Sequence, residues 1–430
     1  MPPAAKGARA PSLSDRPLSG LFAVAKPSGP TSMDLLDQLK PLLASSSLFY
    51  APDAPAPFSG SAKKAKRLKP WERALMERCG RLPPKIGQGG TLDPLAEGVL
   101  VIGVGAATKE LQQFLHCTKE YRTTGLLGAA TSSYDCKDPV VRRAPSAHVT
   151  EALLREKLPL FTGKVQQIPP LYSALRMDGK RLFEYAREGI PLPRPIEARD
   201  VSVDELRLVE WLPSGSHSYR APDEEVSEED KQVFGRMRAM AGREHAFDTT
   251  RPGEATNDTQ TGPEARGTAS AEVSSGEEQS STAEGEPRAE GEPRVEGAAP
   301  PSDAPEVPAD ATSAADAPAA FSLEMTVSSG TYVRSIVHDL GAACNSAAHV
   351  VRLIRTRQGQ FSLGHGLGDG ASVDDSQVAI PGDCIPWSVF ERGLAELAAE
   401  RSGAPDAPST RDADGLREWE RILLARIQVV

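Results

Sequence analysis

The sequence predicts a mixed α and β fold in which strands that are distant along the chain pair with one another. Apolar and polar residues alternate over 198–209 and again over 321–327, as is typical of half-buried strands. The segment TYVRSIVHDLGAA at 331–343 instead has helical spacing, with Ile336 and Leu340 directed inward. Helices and strands alternate irregularly, which indicates a mixed α/β (α+β) architecture.

Four further elements are predicted from local pattern. The apolar run at 99–104 is predicted to be a strand, and EYRTTGLL at 120–127 is predicted to be another. The patterns at 151–158 and 179–188 favour helices. All four precede the first of the two alternating strands.

The stretch between the two alternating strands is predicted to be a disordered insertion with bounds 211–320. Over 248–320 there is no aromatic residue, no Leu and no Ile, and EGEPR occurs twice. Such a segment cannot bury enough apolar surface to offset a chain entropy of about 1–2 kcal/mol per residue. Because closing a long loop costs free energy only logarithmically in its length, the flanking strands can still form a hairpin.

The net charge of −10 is unevenly distributed along the 430 residues. The insertion holds 23 Asp and Glu against 9 Lys and Arg, so the remaining chain is mildly basic. Nucleic-acid binding therefore stays open, since it depends on local clusters of cations. A second loop insertion, at about 45–84, contains KKAKRLK at 63–69. This run is a solvated loop, a nuclear-localisation signal or a phosphate-contacting patch.

Several classes of protein are disfavoured by composition. The longest apolar run is too short for a membrane span, and 1–20 has no secretory signal. That N-terminal segment is faintly like a transit peptide, but disorder is the preferred interpretation. The five cysteines contain no Cys-x-x-Cys pair, and the seven histidines show no ligand spacing. We therefore expect reduced thiols in an intracellular protein without a metal site.

A glycine-rich loop at 86–103, IGQGGTLDPLAEGVLVIG, places Asp93 at its tightest point. Its glycines allow positive φ and a close approach of the backbone to a ligand. Pro94 biases Asp93 toward an extended conformation that projects its carboxylate outward. By itself the loop leaves two interpretations open, a turn in which Asp93 caps the following segment and a functional carboxylate.

Blocks of sequence along the chain place this loop in context. They are AKPSGPTSMD at 25–34, GGTLDPLAEGVL at 89–100, KEYRTTGLLGAATSSYD at 119–135, IPPLYSALRMDGKRLFEYAREG at 168–189 and SSGTYVRSIVHDLG at 328–341. In these blocks and their order, the chain resembles the TruB family of tRNA pseudouridine synthases, in particular its eukaryotic stand-alone branch. The resemblance implies the pseudouridine synthase fold, a mixed and mostly antiparallel sheet flanked by helices around a central RNA-binding cleft.

The resemblance also implies roles for single residues. Asp93 corresponds to the nucleophile of the family, and Arg334 is expected to pair with it and fix its orientation. Tyr121 is expected to stack on the extruded uracil. Tyr332 and Leu353 are candidates for the pocket wall, and each is equally compatible with a place in the core. No partner acid for Asp93 is evident, as a glycoside hydrolase would require.

Four more residues are included in the predicted site. Gln88 stands where many family members carry histidine, and it is assigned to substrate binding without a proton-transfer role. Arg176 replaces the usual lysine of its block. Together with Lys180 and Arg181 it is suited to contacts with RNA phosphates, although each could be a solvated cation.

The implied activity is isomerisation of uridine to pseudouridine, at uridine 55 in the T-arm of tRNA and also at some mRNA sites. Nothing is oxidised and no group leaves, so no cofactor and no metal are expected. The catalytic domain is assigned to 21–210 and 321–364. A C-terminal extension at 365–430 is expected to be helical and not a full PUA domain, the small RNA-binding module that often follows this domain.

A monomer without membrane association is expected, in the nucleus, with mitochondrion and cytoplasm left open. Two alternatives for the activity stay open. One is a guide-RNA-dependent pseudouridine synthase, which the lack of a recognisable PUA domain disfavours. The other is a tRNA-folding chaperone without essential catalysis, which the presence of Asp93, Tyr121 and Arg334 disfavours.

Overall fold

A large mixed sheet is the framework of the computed structural model, which describes residues 11–52, 68–228, 231, 317–364, 382–402 and 411–430. The strands within these ranges are β1 (Gly20–Lys26), β2 (Ile86–Gln88), β3 (Glu97–Val104), β4 (Lys119–Leu127), β5 (Ala129–Thr131), β6 (Val140–Arg143), β7 (Gly163–Gln167), β8 (Arg176–Met177), β9 (Lys180–Arg181), β10 (Arg199–Leu212), β11 (Ala320–Val327), β12 (Ala348–Gln358), β13 (Phe361–Ser362), β14 (Cys384–Pro386) and β15 (Gln428–Val429).

The main sheet has the strand order β14-β1-β3-β12-β4-β11-β10-β7, with β2 on β3, β13 on β12 and β15 on β1. Among the strand pairs that the described residues form, β1–β14 and β3–β12 are parallel and the others are antiparallel. Two small antiparallel sheets, β5–β6 and β8–β9, stand apart from it. The predicted mixed and mostly antiparallel sheet is thus confirmed.

Helices cover the sheet on both faces. The α-helices within the described ranges are α1 (Ser32–Ser45), α2 (Pro70–Cys79), α3 (Leu111–His116), α4 (Glu151–Lys157), α5 (Leu182–Arg187), α6 (Val333–Ala343), α7 (Trp387–Ser402) and α8 (Glu418–Arg426).

The core is divided by the sheet into two layers. Alternate residues of β3 point to opposite sides, so that Leu100 packs in the layer containing α1 and α6, and Val101 packs in the layer containing α3. Burial on both faces explains why the sequence of β3 is an unbroken apolar run rather than an alternation.

The predicted hairpin is present, because β10 and β11 are antiparallel neighbours. Its strands are longer than their sequence pattern indicates. Trp211 and Leu212 belong to β10 and lie opposite Phe321 and Ala320. The predicted bounds 211–320 therefore need correction at both ends, since these cross-strand pairs extend the hairpin into the polar segment. Residues 232–316 of that predicted insertion lie outside the described residues.

Two other predicted non-core segments are partly folded. The N-terminal segment 1–20 contributes Leu18 to the core, and β1 already begins at Gly20. The loop insertion at about 45–84 contains buried Leu48 and Phe49 as well as helix α2. In both segments, isolated apolar side chains pack in the core. Because they do not recur at a helical or strand period, the sequence pattern did not reveal them. Residues 1–10 and 53–67, which include most of KKAKRLK, lie outside the described residues.

The chain after β13 is part of the main domain. It supplies helices α7 and α8, as the expected helical extension requires, but also strands β14 and β15, which both pair with β1. Strands β1 and β15 approach closely at Gly20, where an added Cβ would lie 2.5 Å from the carbonyl oxygen of Gln428. Within the described residues, no helix is long and apolar enough to cross a membrane.

The C-terminal helices are expected to be essential for stability. Trp387 is 1 % exposed within the main core, so Trp387→Ala should lower the free energy of unfolding by about 3–5 kcal/mol. Urea unfolding measures this change. Trp71, which is 43 % exposed, provides the control, and Trp71→Ala should cost less than about 1 kcal/mol. Equal losses for the two variants would show that the C-terminal segment is only loosely attached.

Candidate active site

Asp93 lies in the loop between β2 and β3, with its carboxylate accessible. The loop turns tightly, since the Ala96 N–H donates to the carbonyl oxygen of Asp93 at 3.0 Å. Gly90 has φ +140°, a conformation that L side chains rarely adopt. The Asp93 side chain is 41 % exposed. The loop therefore presents the carboxylate to solvent and to any ligand.

Arg334, at the start of α6, forms the expected ion pair with Asp93. Its Nε atom is 2.9 Å from Asp93 Oδ2, and its side chain is 6 % exposed. The two other guanidinium nitrogens donate to backbone carbonyls, Nη1 to Ser133 at 2.6 Å and Nη2 to Tyr172 at 3.0 Å. All three nitrogens are thus held, so the guanidinium fixes the carboxylate in one orientation. The predicted pairing is confirmed.

A second acid, Asp135, approaches the same guanidinium. Its Oδ2 atom is 3.6 Å from Arg334 Nη1, and the side chain is buried. Burial raises the pKa of Asp135, and the charge of Arg334 acts against that shift. Asp135 and Asp93 therefore approach the same cation, an arrangement that the sequence did not predict. Asp135 stood in the quoted block SSYD, but nothing in the spacing showed that it would reach Arg334.

The backbone around Asp135 is held in an unusual conformation. Tyr134 has φ +66°, and its ring stacks on His338 of α6 with centroids 3.9 Å apart. Ser133 Oγ donates to Asp135 Oδ1 at 3.0 Å, and the Lys137 N–H donates to the same oxygen at 3.0 Å. The turn therefore holds the Asp135 carboxylate and the Ser133 carbonyl oxygen against Arg334.

Side chains of the block AKPSGPTSMD donate hydrogen bonds to the backbone of the Asp93 loop. Lys26 is fully buried and donates to the carbonyl oxygens of Pro27, Pro94 and Ala96 at 2.9, 3.2 and 2.7 Å. Ser28 Oγ donates to the Leu95 carbonyl, and Ser32 Oγ donates to the Leu92 carbonyl. These contacts give the block a structural task that its sequence did not reveal.

Tyr332 is the N-cap residue of α6 and is half-buried. The side-chain amide of Gln167, the last residue of β7, hydrogen-bonds to both the N–H and the carbonyl oxygen of Tyr332. The Tyr332 N–H donates to Gln167 Oε1 at 2.7 Å, and Gln167 Nε2 donates to the Tyr332 carbonyl at 3.0 Å. Because Tyr332 directly precedes the turn of helix containing Arg334, this amide sets the position at which α6 begins. Sequence reasoning missed Gln167, which stands just before the fourth block.

Tyr121 and Leu353 lie on neighbouring strands of the sheet. Tyr121, on β4, is half-buried and lies opposite Met325 of β11 and Arg355 of β12. Leu353 precedes Arg355 by two residues on β12 and therefore points to the same face. Its side chain is buried in the main core. Gln88, on β2, donates from Nε2 to Thr91 Oγ1 at 3.2 Å, and that bond links it to the Asp93 loop.

The three predicted phosphate contacts lie apart from this cluster, on the β8–β9 hairpin. Arg176 donates to the Gly179 carbonyl, Lys180 pairs with Glu188, and the guanidinium of Arg181 lies over the ring of Phe183 at 5.6 Å. A separate small apolar cluster that includes Met177 and Leu182 supports this hairpin and α5. The predicted helix at 179–188 is shorter than expected, because Lys180 and Arg181 pair as β9 with β8 before α5 begins.

A model described as TruB family pseudouridylate synthase (N terminal domain) matches residues 78–221. The tRNA pseudouridine synthase 4 of Schizosaccharomyces pombe is 38 % identical over 366 residues, 84 % of this chain and 83 % of that protein. The chain belongs to the TruB family. Its match to tRNA pseudouridine synthase 4 of Saccharomyces cerevisiae, 33 % identical over 351 residues, covers 80 % of this chain and 78 % of that protein.

A solved structure, the crystal structure of a Cbf5-Nop10-Gar1 complex, aligns with 97 % of this TruB-family chain and 62 % of its own chain. The TM-score is 0.41 at 16 % sequence identity. The family assignment rests on the sequence matches. Within the described ranges, no three His, Cys, Asp or Glu side chains are grouped so as to hold a metal ion.

Replacing Arg334 by lysine should separate catalysis from binding in this TruB-family site. Lysine keeps the charge but loses the planar geometry that holds Asp93 and two carbonyls together. We expect the single-turnover rate of isomerisation on a tRNA T-arm to fall roughly one hundredfold, about 2.7 kcal/mol in the barrier. Affinity for the RNA at fixed salt should change far less, since phosphate contacts are shared among many cations. A loss of affinity with a normal rate at saturating enzyme would instead make Arg334 an RNA contact.

The buried amine of Lys26 should give stability a distinctive pH dependence. Burial lowers its pKa to about 8, against the raising effects of Asp93 and Glu97. Between that value and the ordinary 10.5, the folded chain releases a proton that the unfolded chain keeps. The contribution of this residue to the free energy of unfolding therefore rises with pH across this window, by up to about 3 kcal/mol.

Urea unfolding of wild type and Lys26→Met between pH 7 and 10.5 measures this contribution. The difference between the two proteins should shift in favour of wild type as pH rises. The single-turnover rate of wild type should fall over the same range, because a neutral amine has fewer N–H donors than the three carbonyl oxygens require. Lys164→Met, at an exposed lysine of β7, is the control, and a pH trend no larger than the control's would contradict the assignment.

Proposed function

We propose that this protein isomerises uridine to pseudouridine in tRNA. The observation that carries the proposal is the pairing of an accessible carboxylate, Asp93, with the buried guanidinium of Arg334, each nitrogen of which has a partner, in a chain of the TruB family. Such a pair keeps a carboxylate aimed at one point without an adjustment during the reaction.

The chemistry needs one carboxylate at the sugar carbon. The N1–C1′ bond of uridine breaks, and the Asp93 carboxylate attacks C1′ or stabilises the positive charge that develops there. The uracil then turns, and its C5 atom bonds to C1′; where the carboxylate had bonded to C1′, that bond breaks and Asp93 is released as a carboxylate. The proton on C5 leaves, and N1 gains a proton, so that substrate and product are isomers. Asp93 is the catalytic residue in this scheme, and Arg334 positions it.

Asp135 does not supply the acid that glycoside hydrolysis needs. Its carboxylate is buried on the Nη1 side of Arg334, whereas Asp93 contacts Nε. A general acid must reach the leaving group from an accessible position. We assign Asp135 to the orientation and partial neutralisation of Arg334, which favours isomerisation over hydrolysis.

Recognition of the base is assigned to the residues around the loop. A base inside an RNA stem has to leave the stack before its sugar carbon can be reached. Tyr121, half-buried on β4, is suited to stack on the extruded uracil, with Tyr332 and Leu353 as walls of the pocket. Gln88 can donate and accept hydrogen bonds beside the displaced base.

The RNA is proposed to be the T-arm of tRNA, with uridine 55 as the target and some mRNA sites as additional substrates. Two relatives that share most of their length with this chain carry the name tRNA pseudouridine synthase 4. Arg176, Lys180 and Arg181 are proposed to contact phosphates, and their present partners are a carbonyl of the same hairpin and the carboxylate and aromatic groups of Glu188 and Phe183.

A monomer located in the nucleus is proposed as the working form. The sequence KKAKRLK at 63–69 supports nuclear import. Fluorescence microscopy of the tagged full chain, with and without Lys-to-Gln changes in this run, tests the location.

The assignment of Asp93 is tested by Asp93→Asn. The amide has the shape of the carboxylate but no charge, so turnover should be abolished while RNA affinity stays within a few-fold. The measurement is site-resolved pseudouridine mapping of tRNA incubated with purified protein and without any guide RNA. Substantial pseudouridine from the Asn variant would refute the role of Asp93. Wild-type activity that appears only with added guide RNA would favour the guided branch.

A further inference from the structure

The backbone carbonyls of the Asp93 loop are satisfied from two sides. Those of residues 92–96 accept from the loop itself and from the segment 26–32 described above. The carbonyls of Gly89, Gly90 and Thr91 instead accept from two side chains of β12, Gln358 and Arg355. The run of loop carbonyls from 89 to 96 is therefore completely hydrogen-bonded, and β12 accounts for its first part.

Arg355 joins three separate pieces of the chain. Its Nε donates to the Val99 carbonyl of β3 at 2.7 Å, Nη2 donates to Gly90 at 3.0 Å, and Nη1 reaches the Thr91 carbonyl at 3.5 Å. Gln358 Nε2 adds bonds to the carbonyls of Gly89 at 2.6 Å and Phe114 at 3.0 Å. Both side chains are buried, and that of Arg355 is 1 % exposed.

The charge of Arg355 is balanced in an unusual way. Throughout the part of the chain that the structure describes, no carboxylate forms an ion pair with it. Removing a cation from water costs several kcal/mol unless other groups replace the solvent, and here backbone carbonyl dipoles do so. Because a guanidinium has fixed, planar donors, the carbonyls that it binds must keep one arrangement. A lysine could not reach all three.

The position of Arg355 in the sheet links the loop to the predicted base-binding residue. Arg355 is the register partner of Tyr121 on β4. Leu353, two residues earlier on β12, faces the same side of the sheet. The guanidinium therefore spans from the strand pair that carries Tyr121 to the loop that carries Asp93.

We propose that Arg355 is a positioning residue that sets the place of Asp93 relative to the uracil pocket. The inference rests on the proposed function. Arg355 is too deeply buried to contact RNA and acts only through the carbonyls of Gly90 and Thr91. Replacing the planar guanidinium of Arg355 should displace the Asp93 loop while leaving the RNA-binding surface unchanged.

The test compares Arg355→Lys with wild type in three measurements. The single-turnover rate at saturating enzyme should fall roughly tenfold to one hundredfold, because small displacements of a reacting group are costly. The dissociation constant for a tRNA T-arm should stay within about threefold, since phosphate contacts dominate affinity. Amide hydrogen exchange in peptides covering 89–96 should become faster.

Arg357→Lys is the matched control. Arg357 lies two residues further along β12, half exposed, and bonds to Glu120 and to the Gly359 carbonyl. This variant should keep the wild-type rate and the wild-type exchange of the loop. Wild type and control also test the proposed function, and if neither makes pseudouridine then that function fails together with the inference.

Other outcomes test the role of Arg355 separately from the proposed function. A normal rate in folded Arg355→Lys, or a slow rate without faster exchange of the loop, overturns it. If Arg355→Lys is unfolded at the assay temperature, Arg355→Gln takes its place, since its shorter amide side chain has no charge and cannot donate to all three carbonyls. That variant should show the same pattern of slower isomerisation and faster loop exchange at unchanged RNA affinity, and wild-type values for it overturn the inference.

Discussion

The ion pair between Arg334 and Asp93 is the contact on which the site depends. The guanidinium is buried and held at every nitrogen, whereas the carboxylate is exposed. Four segments meet at it, namely the β2–β3 loop, the turn at 131–135, the segment around Tyr172 and the start of α6. Because breaking one half of such a pair leaves a buried charge without compensation, each of these segments is constrained by the others.

Around that ion pair, buried cationic and amide side chains donate hydrogen bonds to backbone carbonyl oxygens. Lys26 donates to carbonyl oxygens in the second half of the Asp93 loop, and Arg355 donates to carbonyl oxygens in its first half. Gln167 does the same for the backbone at the start of α6. A loop with satisfied carbonyls has little freedom to reorganise, which is the condition for a carboxylate to act on a charge that develops during the reaction.

The sheet explains how distant parts of the chain reach this site. β12 lies between β3 and β4, so its side chains can contact both the Asp93 loop and Tyr121. The β10–β11 hairpin joins the sheet through β4, and Met325 of β11 lies opposite both Leu206 of β10 and Tyr121 of β4. At the other edge, β14 and β15 cover β1 and join the C-terminal helices to the core.

The sequence by itself determined the strands with regular alternation, the helix that carries Arg334 and, through the resemblance to the TruB family, the pairing of Arg334 with Asp93. Those features are written in local periodicity or in residue blocks. Only the tertiary structure decided the contacts of Asp135, Lys26, Gln167 and Arg355, because their partners are backbone carbonyls or charges that approach through the fold. It also decided the bounds of the hairpin and the two short C-terminal strands. Segments of two or three residues carry no period, and their conformation is set by the strand edge that they cover.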